Sequence, residues 1–361
     1  MESKNTTSYT VLGIMSGTSV DGIDFALAKF KKEDDWKFEI IASKTTSYSK
    51  KWQQKLRKAV DFNSEELAQL DEEYTEFMAA ATNDFIKGQK MEYIDAIASH
   101  GHTILHRPEN GITYQIGNKK ALAERTGKLV ICDFRVQDVQ LGGQGAPLVP
   151  IGDALLFGNY DACVNVGGFA NISYQKKEER IAYDICPTNI VLNHFAEKLG
   201  LDYDKDGQLA LEGNIDQALL KKLNALPFYK VKPPKSLGLE WVNQHIFPLI
   251  EDANLDPQTI IATFTEHMAV QIGQILTDFS PKKTDLKILI TGGGAYNSHL
   301  INRLKAFSGL KIIVPEPQIV EFKEALIFAF MGVLRLRNTV NVLKSVTGAR
   351  EDHCSGIIFT P

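Results

Sequence analysis

Gly13-Ile14-Met15-Ser16-Gly17-Thr18-Ser19-Val20-Asp21-Gly22-Ile23-Asp24 is the stretch on which the reading of the fold turns. It lies between two apolar runs, Tyr9 to Met15 and Ile23 to Phe30. Their alternation and clustering predict paired strands joined by a tight turn. Gly17 and Gly22 allow backbone angles that a Cβ would forbid. Ser16, Thr18 and Ser19 add hydroxyls beside exposed N–H groups, and a concavity of that kind suits an anion such as a nucleotide phosphate. Asp21 and Asp24 repel phosphate by themselves but suit Mg²⁺ or its water shell. An ordinary glycine-rich hairpin fits the same twelve letters, so the rest of the chain must decide.

The composition bounds the answer. A chain of 361 residues exceeds the usual single-domain size, so two domains are expected. A net charge of −4 gives no general electrostatic reason to bind nucleic acid or an anionic membrane. Cys132, Cys163, Cys186 and Cys354 form no CxxC pair, which favours reduced thiols over a zinc site or disulfide frame. The polar start Met1 to Thr10 has no apolar signal region, and no run reaches the ~20 apolar residues of a membrane span. A cytoplasmic protein is expected.

Working outward, Trp36 to Ser43 reads as a third strand. Ser49 to Lys87 is helical with a break near Asp61-Phe62-Asn63, where Asn63 and Glu66 form a helix-start signal. Ile94 to Ser99 is a buried strand running into His100-Gly101-His102-Thr103. Thr113 to Gly117 and Leu129 to Phe134 are strands around a helix at Lys119 to Thr126. A meander followed by alternating helices and strands is an α/β pattern. Leu141-Gly142-Gly143-Gln144-Gly145-Ala146-Pro147 is either a loop of close backbone approach or a flexible linker. The domain boundary is placed here, giving 1–138 and 139–339, with 340–361 joining the first.

The opening theme then returns. Ala162 to Val166 is a strand, Gly167-Gly168-Phe169-Ala170-Asn171 a glycine turn, Ile172 to Gln175 a second strand and Ile181 to Ile185 a third, closing on Asp184. The same order in both halves predicts a duplicated core. Asp202 to Gly207 is acidic, but Gly213 stands where an EF-hand needs its glutamate, so a surface loop is expected. Pro233-Pro234-Lys235-Ser236 is an extended segment whose Lys235 and Ser236 are available to a ligand. Pro257 to Phe279 reads as the longest helix. Leu286 to Thr291 is a buried strand followed by Gly292-Gly293-Gly294 and a helix capped by Asn297 or Ser298, and Glu321 to Arg337 is a further helix. Strand, glycine triplet and helix start suit a nucleotide, without being a dinucleotide fingerprint. Three such turns describe two halves gripping a nucleotide, the layout of an actin-like, ribonuclease H-like sugar kinase or ATPase with an interdomain cleft.

Met15 to Asp24, Asp133-Phe134-Arg135, Leu141 to Pro150, Asn165-Val166-Gly167-Gly168-Phe169-Ala170-Asn171-Ile172-Ser173 and Ser345-Val346-Thr347-Gly348-Ala349 together resemble the anhydro-N-acetylmuramic acid kinase family over nearly the whole chain. The resemblance implies a two-domain actin-like fold, ATP and Mg²⁺ as reactants, and a homodimer. It implies opening of 1,6-anhydro-N-acetylmuramic acid with water and transfer of phosphate to O6, giving N-acetylmuramic acid 6-phosphate in peptidoglycan recycling. Nucleotide contacts are expected from Gly17, Thr18, Ser19, Asp21, Gly22, Asp24, Gly167, Gly168, Asn171, Gly292, Gly293, Gly294 and Asn297. Asp184 is implied as general base, a role a carboxylate at a strand end can fill by taking the proton of the attacking water. Asp184 could instead cap the following helix, though Asn189 is better placed for that. His100, Arg135, Asn189 and Lys235 are expected to meet the sugar. His100, His102 and His106 read as hydrogen-bonded fixtures rather than a metal cluster.

The chain departs from the family's pattern at Ile185, Cys186, Thr188, Leu237 and Leu239, and His102 replaces a glutamine. These positions are expected in sugar-facing loops, which leaves open another anhydro sugar such as levoglucosan. A weakly catalytic nucleotide-binding regulator is the reading from a different class.

Overall fold

A computed structural model describes residues 8–17, 19–89, 93–279 and 285–361. Thr18, one of the expected phosphate-loop residues, lies outside the described residues. The chain forms two compact units, one running to Leu156 and completed by Phe322–Pro361, the other Phe157–Glu321. Among the described residues, no helix is long and apolar enough to cross a membrane.

The first unit supplies strands β1 (Ser8–Ser16), β2 (Gly22–Lys32), β3 (Trp36–Ser47), β4 (Ala96–Arg107), β5 (Ile112–Ile116) and β6 (Val130–Cys132). The second supplies β7 (Ala162–Val166), β8 (Phe169–Lys176), β9 (Glu179–Pro187), β10 (Lys287–Thr291) and β11 (Lys311–Ile313), and β12 (Ile357–Phe359) returns to the first. The sheet of the first unit runs β12-β6-β4-β1-β2-β3 with β5 on β4, and that of the second runs β11-β10-β7-β8-β9. In each, three strands form an antiparallel meander and the next two continue parallel to the first. The core is therefore duplicated, with the strand order of an actin-like, ribonuclease H-like fold in both units.

The sequence explains why the first sheet is covered on both faces. In β2, Ile23, Phe25 and Leu27 point to a core shared with Leu70, Tyr74 and Met78 of the helix Ser64–Gly88. Phe30, three residues further along, packs instead on Phe330 of the helix Pro317–Leu336. Both faces of a central strand are thus apolar, as helix-covered sheets require. In the second unit, Val164, Val166 and Ile172 pack with Ile261, Phe264, Met268 and Ile272 of the helix Pro257–Phe279.

The helix starts follow their chemistry. Asn63 accepts from the N–H groups of Glu65 and Glu66, while Glu66 Oε2 accepts from the Asn63 N–H at 2.8 Å, a complete capping box. Asn63→Ala is expected to cost about 1 kcal/mol, read by denaturant melts. Ser64–Gly88 has 25 residues and Pro257–Phe279 has 23, so the first is the longer, because the capping box starts one uninterrupted helix after the break. The last long helix begins at Pro317, four residues before Glu321, with proline supplying the preset φ of a first turn. Asp204, in the acidic run that lacks a calcium loop's glutamate, accepts from the N–H groups of Leu209 (2.8 Å) and Ala210 (3.1 Å) and serves as a local cap.

Candidate active site

In the first unit, β1 and β2 pair up to Met15 and Asp24, and the loop between them begins at Gly17. Val20 closes a turn onto the Gly17 carbonyl at 3.3 Å and has φ 58°, a left-handed value costly for a β-branched residue. Ser19 Oγ donates to Asp21 Oδ1 at 2.8 Å. Gly22 is fixed by packing: a Cβ there would lie 2.6 Å from the Thr46 carbonyl oxygen. Asp24 Oδ1 accepts from Thr45 Oγ1 at 2.5 Å.

Asp24 also acts on a residue that sequence reasoning left outside the site. Burial raises the pKa of Glu324, and the charges of Asp24 and Asp153 add to the rise while Lys323 and Arg135 oppose it. Arg135 Nε donates to His100 Nε2 at 2.8 Å, and its Nη1 donates to the Gly145 carbonyl at 2.8 Å. His100 Nδ1 meets the Gly101 carbonyl at 2.9 Å, so Nδ1 carries the proton and Nε2 is the acceptor. Burial, reinforced by the Arg135 charge, holds the His100 pKa well below its usual value. The neutral His100 is thus bonded to Arg135, and the charges of Arg135 and Asp24 act in opposite directions on Glu324. Among the described residues no group of three or more His, Cys, Asp or Glu is placed to hold a metal ion.

The stretch Leu141 to Pro147 is not a slack linker. Asp138 Oδ2 accepts from the Gly145 N–H and Oδ1 from Thr347 Oγ1, both at 2.7 Å, and Gln144 N–H donates to the Thr347 carbonyl at 2.8 Å. Two motifs some 200 residues apart, Leu141–Pro150 and Ser345–Ala349, are therefore parts of one hydrogen-bonded knot.

In the second unit the register places four polar residues in one row. Thr291 of β10 pairs with Asn165 of β7, Asn165 with Asn171 of β8, and Asn171 with Asp184 of β9. Directly paired residues share a face, so Asn165 and Thr291 join Asn171 and Asp184. Sequence reasoning did not single out those two, whose signal is a polar residue at the C-terminal end of an apolar run, Asn165 in β7 and Thr291 in β10. The row lies where β7 and β10 end, the position at which parallel sheets bind ligands. The glycine turns flank it. A Cβ on Gly167 would sit 3.5 Å from Asn165 Nδ2, and one on Gly292 would sit 2.5 Å from Asn165 Oδ1, so the Asn165 amide lies between the two turns. Gly292 has φ 81°, and a Cβ on Gly293 would be 3.6 Å from Asn189 Nδ2.

Asp184 stands beside a β-bulge. Ala170 pairs with Cys186 and Asn171 with Asp184, leaving Ile185 unpaired, a device that re-aims a neighbouring side chain. Asp184 Oδ2 accepts from the Leu237 N–H at 2.8 Å, and its own N–H donates to the Lys235 carbonyl at 3.2 Å. Burial raises the Asp184 pKa, against the pull of the Leu237 N–H and the Lys235 charge. Lys235 Nζ donates to the Phe228 carbonyl at 3.3 Å and lies 4.4 Å over the Phe228 ring; burial lowers its pKa.

Neither Asp184 nor Asn189 caps the helix Asn189–Glu197. Asn189 is its first residue, Thr188 precedes it without a side-chain cap, and the Gly167 and Gly168 carbonyls take the N–H groups of Asn189 (3.3 Å) and Ile190 (3.4 Å). Asn297 does cap its helix, Oδ1 accepting from Leu300 N–H at 2.8 Å, and Gly294 packs on Val166.

The family model for anhydro-N-acetylmuramic acid kinase matches residues 9–361. The chain belongs to the anhydro-N-acetylmuramic acid kinase family. A relative of that name from Xanthomonas oryzae pv. oryzae (strain MAFF 311018) is 35% identical over 379 residues, covering 98% of this chain and 97% of the relative. Another, from Pseudomonas savastanoi pv. phaseolicola (strain 1448A / Race 6), is 34% identical over 375 residues, covering 97% and 99%. Among solved structures, the activator of the 2-hydroxyisocaproyl-CoA dehydratase from Clostridium difficile, with bound ADPNP, is similar with a TM-score of 0.45 and 14% identity, covering 91% of this chain and 97% of that one. Within the anhydro-N-acetylmuramic acid kinase family, three of this chain's departures face inward. Ile185, Cys186 and Thr188 are buried, and Thr188 Oγ1 donates to the Gly167 carbonyl at 2.7 Å. Their side chains are packed inside the second unit rather than exposed at its surface. Leu237 contributes its backbone N–H, which any non-proline residue supplies.

Proposed function

We propose that this chain is an ATP-dependent kinase that opens 1,6-anhydro-N-acetylmuramic acid with water and phosphorylates O6, giving N-acetylmuramic acid 6-phosphate and ADP. Family membership supports the substrate. The observation that carries the chemistry is Asp184: one oxygen held by the Leu237 N–H, the pKa raised by burial, at the end of a polar row flanked by two glycine turns. A carboxylate so held keeps its other oxygen for a proton and is a stronger base than a solvated aspartate.

The water oxygen bonds to C1 as the C1–O6 bond breaks, and O6 bonds to the γ-phosphorus as the bond to ADP breaks. Asp184 takes the proton from the water. The Gly17–Asp21 loop, Gly167, Gly168 and Gly292–Gly294 offer backbone N–H groups and close approach to the nucleotide. Arg135 and Lys235 offer positive charge to the acid sugar, with His100 and Asn189 as neutral hydrogen-bonding groups. Of the two aspartates expected beside Mg²⁺, either would supply a carboxylate to an ion that takes one or two of them and leaves its other positions to water and phosphate. When bound, that ion would neutralise charge on the phosphoryl oxygens.

The test is ADP release with 1,6-anhydro-N-acetylmuramic acid, with the product phosphate located by ³¹P NMR. Stoichiometric ADP and a phosphate ester at O6 are expected. Turnover of levoglucosan alone would overturn the substrate, and ADP release that never exceeds background with either sugar would overturn the kinase.

A further inference from the structure

The β1–β2 loop is held at both ends by one residue. Tyr48 follows β3 directly and precedes Ser49, which caps the helix Lys50–Lys58. Its hydroxyl lies 2.7 Å from Ser16 Oγ, immediately before the loop, and its backbone N–H donates to the carbonyl of Asp21, the last residue of the loop, at 3.0 Å. Ser16 Oγ lies 2.8 Å from His102 Nδ1, and Tyr48 Oη lies 2.6 Å from Tyr74 Oη. Ser16, Tyr48, Tyr74 and His102 are all buried. Between the two anchor points Val20 keeps its left-handed φ, a conformation that persists only where surrounding structure enforces it.

We propose that Tyr48 is the positioning residue of the nucleotide-phosphate loop, and that Ser16, Tyr74 and His102 complete a buried hydrogen-bond chain holding its hydroxyl in place. The proposal rests on the reading of Gly17–Asp21 as the ATP phosphate loop. Proton counting supports the chain. With His102 neutral, Tyr74 donates to Tyr48, Tyr48 to Ser16 and Ser16 to His102 Nδ1, so three hydroxyl protons meet three acceptors. Burial lowers the His102 pKa to about 4, which keeps the ring neutral at ordinary pH. A glutamine at position 102 offers an amide oxygen to the same hydroxyl, so the chain needs an acceptor there and not an imidazole.

Tyr48→Phe keeps the ring and the N–H bond to Asp21 and removes only the hydroxyl. The expected result is a Kd for a non-hydrolysable ATP analogue weakened by about tenfold, with KM for ATP rising likewise, kcat within threefold and sugar affinity unchanged. Amide exchange should quicken in residues 19–22 and nowhere else. His102→Gln should retain wild-type nucleotide affinity and His102→Leu should lose it to the extent of Tyr48→Phe. Ser16→Ala removes the oxygen on which two of the bonds meet and decides the matter if Tyr48→Phe fails to fold. Unchanged loop exchange and unchanged analogue affinity in these variants would overturn the clamp. A wild-type protein that binds no ATP analogue would instead overturn the phosphate-loop reading, while quickened loop exchange in Tyr48→Phe would still establish the clamp.

Discussion

Asp184→Asn is expected to lower kcat about a thousandfold while leaving the affinity for nucleotide within about twofold of wild type. A positioned general base contributes roughly 10²–10⁴ in rate, and the substitution removes the base without removing the hydrogen bond that holds it. The amide oxygen of asparagine can still accept from the Leu237 N–H, which now meets Asp184 Oδ2 at 2.8 Å. Loss confined to kcat, with KM for ATP unchanged, marks an interaction made in the transition state and not in the bound ground state. Steady-state rates and analogue titration of the same preparation give both numbers. Turnover within tenfold of wild type would place the base elsewhere.

The same substitution has an opposite effect on stability. The folded-state pKa of Asp184 is raised by burial. A carboxyl of that kind contributes its stability in full below the unfolded value of about 3.8, and the contribution is lost as pH rises through the folded value. Once ionised, Asp184 is a destabilising group, a cost that the proposed role as base would account for. Asp184→Asn should therefore melt at the wild-type temperature or above it at pH 7, with the difference shrinking as pH is lowered toward 4. For activity the sign is reversed: the base must be ionised, so the acid limb of the rate profile should lie above the ordinary carboxylate range. A variant that is both inactive and markedly less stable at pH 7 would show the introduced amide disturbing the fold, which the wild-type geometry argues against.

How much of this was legible beforehand follows the range of the interactions involved. The strand–turn–strand repeat at Gly13–Asp24 and Ala162–Gln175 is written in local apolar alternation, and the two sheets have the same meander order. The Asn63–Glu66 capping box spans four residues and was readable letter by letter. The polar row Thr291–Asn165–Asn171–Asp184 was not, because it exists only in the register of four strands, one of them more than 100 residues downstream. Glu324 escaped for the same reason: its partners Asp24 and Arg135 come from distant parts of the chain. Ile185, Cys186 and Thr188 are a different case: as departures near Asp184 they were expected in sugar-facing loops, and their side chains are buried. A β-bulge and the Gly167 carbonyl turn those side chains inward, and neither is visible as a spacing in the sequence.

Gly13, the first residue of the deciding stretch, carries the largest expected effect on stability. Its neighbours across the sheet are Ala26 on β2 and Ala98 on β4. The helix Pro317–Leu336 lies against this strip of small residues, with Gly332 at the Ala98 methyl. A Cβ on Gly13 would fall 1.8 Å from the Ala325 carbonyl oxygen and 2.9 Å from the Ala329 nitrogen. Those atoms are helix backbone, so no rotamer change relieves the overlap and the whole helix must move off the sheet. That movement would loosen the Phe30–Phe330 contact, whose rings are 5.4 Å apart, and shift Glu324, which sits on the same helix and whose pKa the Asp24 charge helps to raise. Overpacking in a well-packed core costs typically 1–3 kcal/mol and more where backbone must shift, so Gly13→Ala should cost at least about 3 kcal/mol. For a unit of this size that is a fall of roughly 6–12 °C in the melting transition of the first unit. The second unit's sheet and its Asp184 environment contain no part of this contact and should melt as before. A melting temperature within about 1 °C of wild type would mean that the helix stands further from β1 than its carbonyl positions indicate. A clear fall with unchanged nucleotide affinity in the folded fraction would separate the packing role of Gly13 from the ligand role assigned to Gly17, four residues on.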